Sequence, residues 1–172
     1  VTGTGGGTLR DIILDVPVFW VVHPPYLVVC VAAALLVFFT AHMVESRYRL
    51  LLWLDALGMS AYAVMGAAKG LAATGSPTVA IVTGMLTATF GGILRDVIAG
   101  EPSVLLRPEI YVTAALLGSA IFVALDRAGL PLPACALLAF TGAFVLRGGA
   151  LRFGWRFPTY RSRPGRAPED ID

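Results

Sequence analysis

The sequence predicts an all-α integral membrane protein made of two inverted three-helix repeats and a seventh helix. The first observation is composition: 57% of the 172 residues are hydrophobic, 14% are charged and the mean hydropathy is +0.79, far more apolar than a soluble domain. The second is a duplicated motif, because residues 2–11 (TGTGGGTLRD) recur 85 positions later as residues 87–96 (TATFGGILRD). The third is that basic residues gather in alternate loops, as they do in chains that cross a bilayer repeatedly.

The first copy of the motif stands at the start of the chain. Val1–Leu14 is predicted to be the last half of a spanning helix, and Asp15–Pro25 a loop, because its three prolines preclude a long helix. The second copy is preceded by a whole helix and half of another. If the repeats are equal, about 30 residues of the first repeat precede Val1. We therefore expect the N-terminal helix and part of the second to be absent from this chain.

Five further spans are predicted, each an apolar stretch bounded by charged, proline or glycine residues. They are Tyr26–Val44, Leu50–Leu71, Val79–Ala99, Ile110–Leu125 and a last span from Pro131 to about Leu146. The resulting single membrane domain, residues 1–154, divides into a first-repeat remnant at 1–46, a second repeat at 51–128 and a seventh helix at 130–154. Residues 155–172 form an Arg- and Pro-rich tail. The composition becomes basic before it, from Arg147 near the end of the seventh helix.

The basic residues also predict the orientation. The Arg-rich tail is expected to be cytoplasmic, and counting spans back from it places the Arg47–Arg49 turn and the Arg107 loop on the same side. Three spans in each repeat then make the two copies face opposite ways. The chain is expected in the cell's inner membrane, in contact with lipids. Its formal net charge of +2 gives no reason to expect a nucleic acid partner.

The glycines of the motif predict interruptions in two helices. Each glycine costs a helix roughly 1 kcal/mol relative to alanine, so the helix is expected to unwind there. Unwound backbone at membrane depth must face protein or water, and two breaks near the midplane would leave a wet pathway beside threonine hydroxyls. The alternative is that the glycines only permit close helix packing, as the GxxxG pair Gly66 and Gly70 does. The expected pathway residues are Gly5, Gly6, Gly7, Gly91, Gly92, Thr4, Thr87 and Thr89.

Five charged residues are candidates for gating. A charge in the bilayer centre costs at least ~2.5–3.5 kcal/mol, so Arg10-Asp11 and Arg95-Asp96 need partners or water. Pairing across the repeats, Arg10 with Asp96 or Arg95 with Asp11, is attractive by symmetry, whereas a helix-end pair that fixes depth is the simpler alternative. Lys69, the only lysine, is either a snorkelling residue or a cationic gate.

The two copies, T-x-T-x-G-G-x-L-R-D-x-I with a following proline, resemble the duplicated signature of the trimeric intracellular cation channels. The bacterial branch of that family has also been described as glycine-transporting. The resemblance implies a homotrimer with one pore per subunit, passing potassium and less selectively sodium, with pore helices kinked at the motif glycines. It also implies a gating role for Lys69. Eukaryotic members carry Lys-Glu-Val where this chain has Lys69-Gly70-Leu71, so a phosphoinositide role is not carried over.

The sequence thus favours a potassium-permeable cation channel that needs no cofactor beyond the permeant K⁺ or Na⁺ and possible bound lipid. The alternative is a secondary carrier for glycine or another small zwitterion, in which an arginine holds the carboxylate and an aspartate the amine. An enzyme is not expected, because no nucleophile–base pairing, metal-ligand spacing or cofactor fingerprint is present.

Overall fold

The computed structural model describes residues 2–44, 48–100 and 110–155. These residues form seven α-helices: α1 Thr2–Ile13, α2 Phe19–Val22, α3 Pro25–Val44, α4 Tyr48–Thr74, α5 Pro77–Ala99, α6 Val112–Arg127 and α7 Leu132–Phe153. Helix α2 is a single turn inside the predicted Asp15–Pro25 loop. The other six lie where spans were predicted, so they correspond to helices two to seven of the predicted architecture. Arg47, Arg107 and the tail from Arg156 onward lie outside the described residues.

The helix ends follow from the residues that stand there. Helix α5 begins after Ser76, whose hydroxyl accepts from the Val79 amide at 3.5 Å, as a serine cap does. It ends at Gly100, which takes the left-handed conformation at φ +67° that glycine adopts without strain. Helix α7 ends similarly at Gly154, with φ +68°. Helix α7 continues past Leu146, where the last apolar span was predicted to end. It therefore includes Arg147 and Arg152, the first of the basic residues that follow that span.

Two of the described helices, over Pro77–Ile98 and Leu132–Phe153, are long and apolar enough to cross a membrane. Helix α4 is longer than either at 27 residues, but it carries Asp55 and Lys69. Helix α3 is apolar over Pro25–Phe39, and its side chains there are largely exposed, with Phe38 at 75% and Phe39 at 70% exposure. Such side chains suit contact with lipid or with another protein chain.

Helices α4 and α5 pack closely because small residues line their contact. A Cβ at Gly70 would lie 2.1 Å from Thr83 Oγ1, and a Cβ at Gly66 would lie 2.6 Å from Thr87 Oγ1. Neither position has room for a larger side chain. The expectation that the GxxxG pair permits close helix approach is therefore confirmed.

The predicted helix breaks at the motif glycines are wrong. Helices α1 and α5 run without interruption through Gly5–Gly7 and Gly91–Gly92. A Cβ at Gly6 would lie 2.1 Å from the Thr87 carbonyl oxygen, and one at Gly91 would lie 2.3 Å from that of Thr2. The alternative reading holds for these two glycines, because what they provide is a surface against which a second backbone can pack.

The same contacts fix the relative direction of the two motif helices. Residues later in α1 meet residues earlier in α5, since Thr2 lies against Gly91 and Gly6 against Thr87. Helices α1 and α5 are therefore antiparallel, as an inverted repeat requires of this pair. Asp11 and Asp96 lie at opposite ends of the crossing, roughly 20 Å apart along the helix axes at 1.5 Å per residue. These two regions are called the Asp11 end and the Asp96 end below.

Candidate ion pathway

A cavity of about 730 Å³ opens at the Asp11 end, between α1, α3 and α4. Most of its wall is apolar, including Val29 and Met65. The polar side chains in the wall are those of Arg10, Tyr26, Tyr62, Lys69 and Thr87, with the thiol of Cys30. Glycines of the first motif copy also line it, at Gly3 and Gly7. Because Gly3 and Arg10 stand roughly 10 Å apart along α1, the cavity reaches from one end of the bundle towards the crossing of the motif helices.

The carboxylate of Asp11 anchors the cavity's charged end. Asp11 is fully buried, at 0% exposure. Its Oδ1 accepts from Arg10 Nε and Nη2 and lies against Lys69 Nζ, each at 2.8 Å, while Oδ2 accepts from the Phe19 amide at 2.8 Å. A buried charge is tolerated when it is paired and hydrogen-bonded in this way. Asp11 therefore ties together α1, the start of α2 and α4.

Lys69 makes an ion pair between the two predicted repeats. Its side chain is 34% exposed and lines the cavity, while its ammonium group reaches Asp11 of the first motif copy. Arg10 and Lys69 together carry two positive charges against the one negative charge of Asp11, so this group of three side chains keeps one positive charge. The contact joins residues of α1 and α4, which no local sequence pattern connects.

At the Asp96 end the second motif copy makes the matching pair. Arg95 donates to Asp96 Oδ1 from Nε at 3.0 Å and from Nη2 at 2.8 Å. Asp96 is 3% exposed, whereas the Arg95 side chain is 50% exposed. The predicted pairs between the repeats, Arg10 with Asp96 and Arg95 with Asp11, are wrong. Each arginine instead pairs with the aspartate that follows it, because the antiparallel helices hold the two motif ends far apart.

Arg147 is a buried residue of the Asp96 end, which the sequence analysis grouped with the basic residues that follow it and not with the buried residues of the seventh helix. It lies inside α7 at 3% exposure, with its guanidinium 5.0 Å from the centroid of the Tyr111 ring. Its Nη1 donates to the Ile110 carbonyl at 3.4 Å. A signal for its burial exists, since it continues the four-residue spacing of Cys135, Ala139 and Ala143, all of which are buried.

The predicted threonines divide between two roles. Thr87 lines the cavity, and its hydroxyl donates to the Thr83 carbonyl at 2.6 Å. Thr89 is buried, and its hydroxyl donates to the Met85 carbonyl at 2.9 Å. The Thr4 carbonyl accepts from the Thr8 hydroxyl at 2.8 Å. Both Thr87 and Thr89 thus satisfy their hydroxyls on their own helix, and Thr87 alone of the three predicted threonines is in the cavity wall.

The predicted glycines are divided in the same way. Gly7 lines the cavity, although a Cβ there would lie 2.6 Å from the Phe19 ring. Gly5 faces Leu94 across the α1–α5 contact, and Gly92 faces the hydroxyl of Tyr111, 3.8 Å from where its Cβ would stand. Within residues 2–44, 48–100 and 110–155, no group of three or more His, Cys, Asp or Glu side chains is placed to hold a metal ion.

Comparison with known proteins gives consistent matches in sequence. The family described as glycine transporter matches residues 1–42 and 52–127. The UPF0126 inner membrane protein YadS of Escherichia coli K12 is 36% identical over 166 residues, which cover 93% of this chain and 79% of that protein. A UPF0126 membrane protein of Vibrio cholerae is 34% identical over 93% of this chain and 68% of its own length.

Solved structures match over the same extent. The TRIC trimeric intracellular cation channel orthologue of Rhodobacter sphaeroides is 52% identical, with a TM-score of 0.85 over 90% of this chain and 80% of that one. A structure from work on conductance through TRIC cation channels is 26% identical, with a TM-score of 0.87 over 92% of this chain and 79% of that one. A prokaryotic TRIC channel in 0.5 M KCl is 27% identical, with a TM-score of 0.80 over 91% and 80%. These solved relatives are channels rather than enzymes.

Proposed function

This chain belongs to the family of the TRIC cation channels, to which the glycine transporter family corresponds, and on that premise we propose that it is a potassium-permeable channel for monovalent cations with a pore in each subunit. The observation that carries the proposal is the cavity of about 730 Å³ at the Asp11 end. It extends from the charged surface of the bundle to Thr87 and Gly3, where the two motif helices cross. A cation that enters there keeps water around it until it reaches this crossing.

The charges at the Asp11 end support a gating role for Lys69. An arginine beside a cation path repels the permeant ion unless its charge is offset, and Arg10 is held by Asp11 at 2.8 Å. The remaining positive charge belongs to Lys69, which is partly exposed in the cavity wall. A lysine that moves between Asp11 and the cavity changes the field that an entering cation meets. We therefore propose that Lys69 regulates the occupancy of this cavity by cations.

The rival function is a carrier for glycine or a similar zwitterion. Such a carrier needs an exposed carboxylate to hold the amine of its substrate. Asp11 is fully buried and already accepts from Arg10, Lys69 and the Phe19 amide, and Asp96 is 3% exposed. Neither aspartate presents a carboxylate to the cavity, which favours the channel.

Recording from a planar bilayer tests the proposal. The purified chain is reconstituted with potassium chloride on both sides and then under a tenfold gradient. Discrete openings of picoampere size, reversing near the potassium potential, are expected, because a carrier turns over too slowly to give them. Protein-free bilayers are the control. Silent bilayers combined with saturable glycine uptake into proteoliposomes would instead establish the carrier.

We also propose a homotrimer in the bacterial inner membrane with a cytoplasmic C-terminus and lipid around α3. The exposed apolar side chains of α3, such as Phe38 and Phe39, support contact with lipid or a neighbouring subunit. The mass of the protein in detergent, measured by light scattering with the detergent contribution subtracted, tests the trimer. A reporter fused after Asp172 that is active only in the cytoplasm tests the orientation.

A further inference from the structure

Two tyrosines at equivalent positions of the repeats have opposite surroundings. Tyr26 and Tyr111 are separated by the same 85 positions as the motif copies. Tyr26 is 48% exposed, lines the cavity, and meets the Phe19 ring edge-on at a centroid distance of 5.2 Å. Tyr111 is 5% exposed. Tyr26 therefore faces an open cavity at the Asp11 end, whereas Tyr111 is covered by protein at the Asp96 end.

Arg147 covers one face of the Tyr111 ring, which also packs in an apolar cluster with Met59, Ala63 and Ala88. It comes from α7, the helix that lies outside both predicted repeats, so Tyr26 has no counterpart of it in that architecture. Its guanidinium lies 5.0 Å from the centroid of the Tyr111 ring, and it also donates to the carbonyl of Ile110 at 3.4 Å. A cation over an aromatic face is attracted to it, and more strongly when both are removed from water. Arg147 is removed from water, being 3% exposed.

On its other side Tyr111 meets the second motif copy. Its hydroxyl lies 3.8 Å from the Cβ position of Gly92, and the charges of Asp55, Arg95 and Asp96 lie within electrostatic range of it. Tyr111 is thus held between α5 and α7. By the 85-position offset of the motif copies, Gly92 is the counterpart of Gly7, which lines the open cavity at the other end.

Resting on the proposed channel function, we infer that Arg147 is a positioning residue that keeps the Asp96 end closed to cations by holding Tyr111 over Gly92. The closure is steric, because the tyrosine ring fills the place next to Gly92. Release of Tyr111 from Arg147 opens a second cavity there, related to the first by the repeat.

Thiol labelling at Gly92 tests the closure without requiring conduction. The parent protein carries Gly92→Cys with Cys30→Ala and Cys135→Ala, and the probe is a membrane-impermeant trimethylammonium methanethiosulfonate applied to proteoliposomes. Arg147→Gln is expected to label at least tenfold faster than the parent. Arg147→Lys retains the charge over the ring and is expected to stay within threefold of the parent. Arg152→Gln, an exposed residue of the same helix, is the matched control and is expected to leave the rate unchanged.

Potassium flux from the same vesicles gives the second readout. Arg147→Gln is expected to raise the flux at least threefold, and Arg152→Gln to leave it unchanged. If Arg147→Gln does not fold, Tyr111→Leu replaces it and carries the same two expectations. Labelling within twofold of the parent, or unchanged flux in a parent that conducts, would overturn the inference. Absence of potassium flux through the unsubstituted protein would refute the channel function instead, and the labelling rates would still decide whether Arg147 covers this end.

Discussion

Alanine at Gly91 is expected to destabilise the protein, whereas alanine at the adjacent Gly92 is not. The new Cβ at Gly91 would lie 2.3 Å from the carbonyl oxygen of Thr2 and 3.2 Å from its carbonyl carbon. Both atoms belong to the backbone, so no side-chain rotation relieves the contact. Since unstrained heavy atoms stay roughly 3.5 Å apart, α1 and α5 must separate by about 1 Å.

The structure sets the size and sign of each effect. Overpacking costs about 1–3 kcal/mol, and the crossing of α1 and α5 gives little slack, because a Cβ at Gly6 would meet the Thr87 backbone equally closely. At Gly92 a Cβ meets only the Tyr111 hydroxyl, at 3.8 Å, so the substitution gains up to ~1 kcal/mol of helix propensity. Because Gly91→Ala gains the same helix propensity, the two variants should differ by the overpacking cost of about 1–3 kcal/mol, which corresponds to roughly 2–12 °C in melting temperature for a chain of this size.

Thermal unfolding in detergent, followed by tryptophan fluorescence, measures this difference. Gly58→Ala is the control, because Gly58 lies within α4 and a Cβ there meets nothing within 4 Å. It should unfold at the temperature of the parent or slightly above it. Equal losses at Gly91 and Gly92 would refute the reasoning, because they would indicate that the glycine pair acts as a flexible joint rather than as a packing surface.

Three further predictions concern the cavity. Lys69→Gln removes a positive charge that repels a cation about 7 Å away by about 0.6–2.4 kcal/mol, so potassium flux should rise by roughly threefold or more. Lys69→Arg keeps the charge and should leave the flux near the parent value. A fall in flux with Lys69→Gln would contradict this role. Asp11→Asn strips Arg10 and Lys69 of their partner and should cost about 3–5 kcal/mol of stability, measured as a lower unfolding temperature; an unchanged value would mean that the buried pair is dispensable. Thr87→Val removes a hydroxyl from the cavity wall and should reduce flux with little change in stability, since the valine has nearly the same shape; unchanged flux would place Thr87 outside the ion path.

The helices of this protein could be predicted from the sequence because each span carries its own signal. Apolar stretches of membrane length mark the helices, and Ser76, Gly100 and Gly154 stand where helices begin or end. The family relationship could also be predicted, because both copies of the motif carry glycine, arginine and aspartate at the same relative positions. Candidate residues such as Lys69 and Thr87 followed from the same patterns, and both lie in the cavity wall.

What the sequence could not supply was the partner of each residue across helices. Glycine lowers the cost of unwinding and also allows close packing, and only the position of the Thr87 backbone against Gly6 decides between the two. Lys69 and Asp11 are 58 positions apart, and their contact depends on how α1 and α4 are placed. Arg147 resembled the arginines that follow it, although its spacing from buried small residues of α7 separates it from them.

A duplicated motif supplies two similar ends, and a channel that is to be regulated needs them to differ. Each end has an arginine–aspartate pair of the motif, and the two pairs balance charge in the same way although Arg95 is more exposed than Arg10. A further distinction comes from the second cation at each end, which the motif does not contain. Lys69 is partly exposed at the first end, where it pairs with Asp11, whereas Arg147 is buried at the second. On the proposed channel function, we expect this difference in exposure to give the two halves of the pathway different resistances to the same ion.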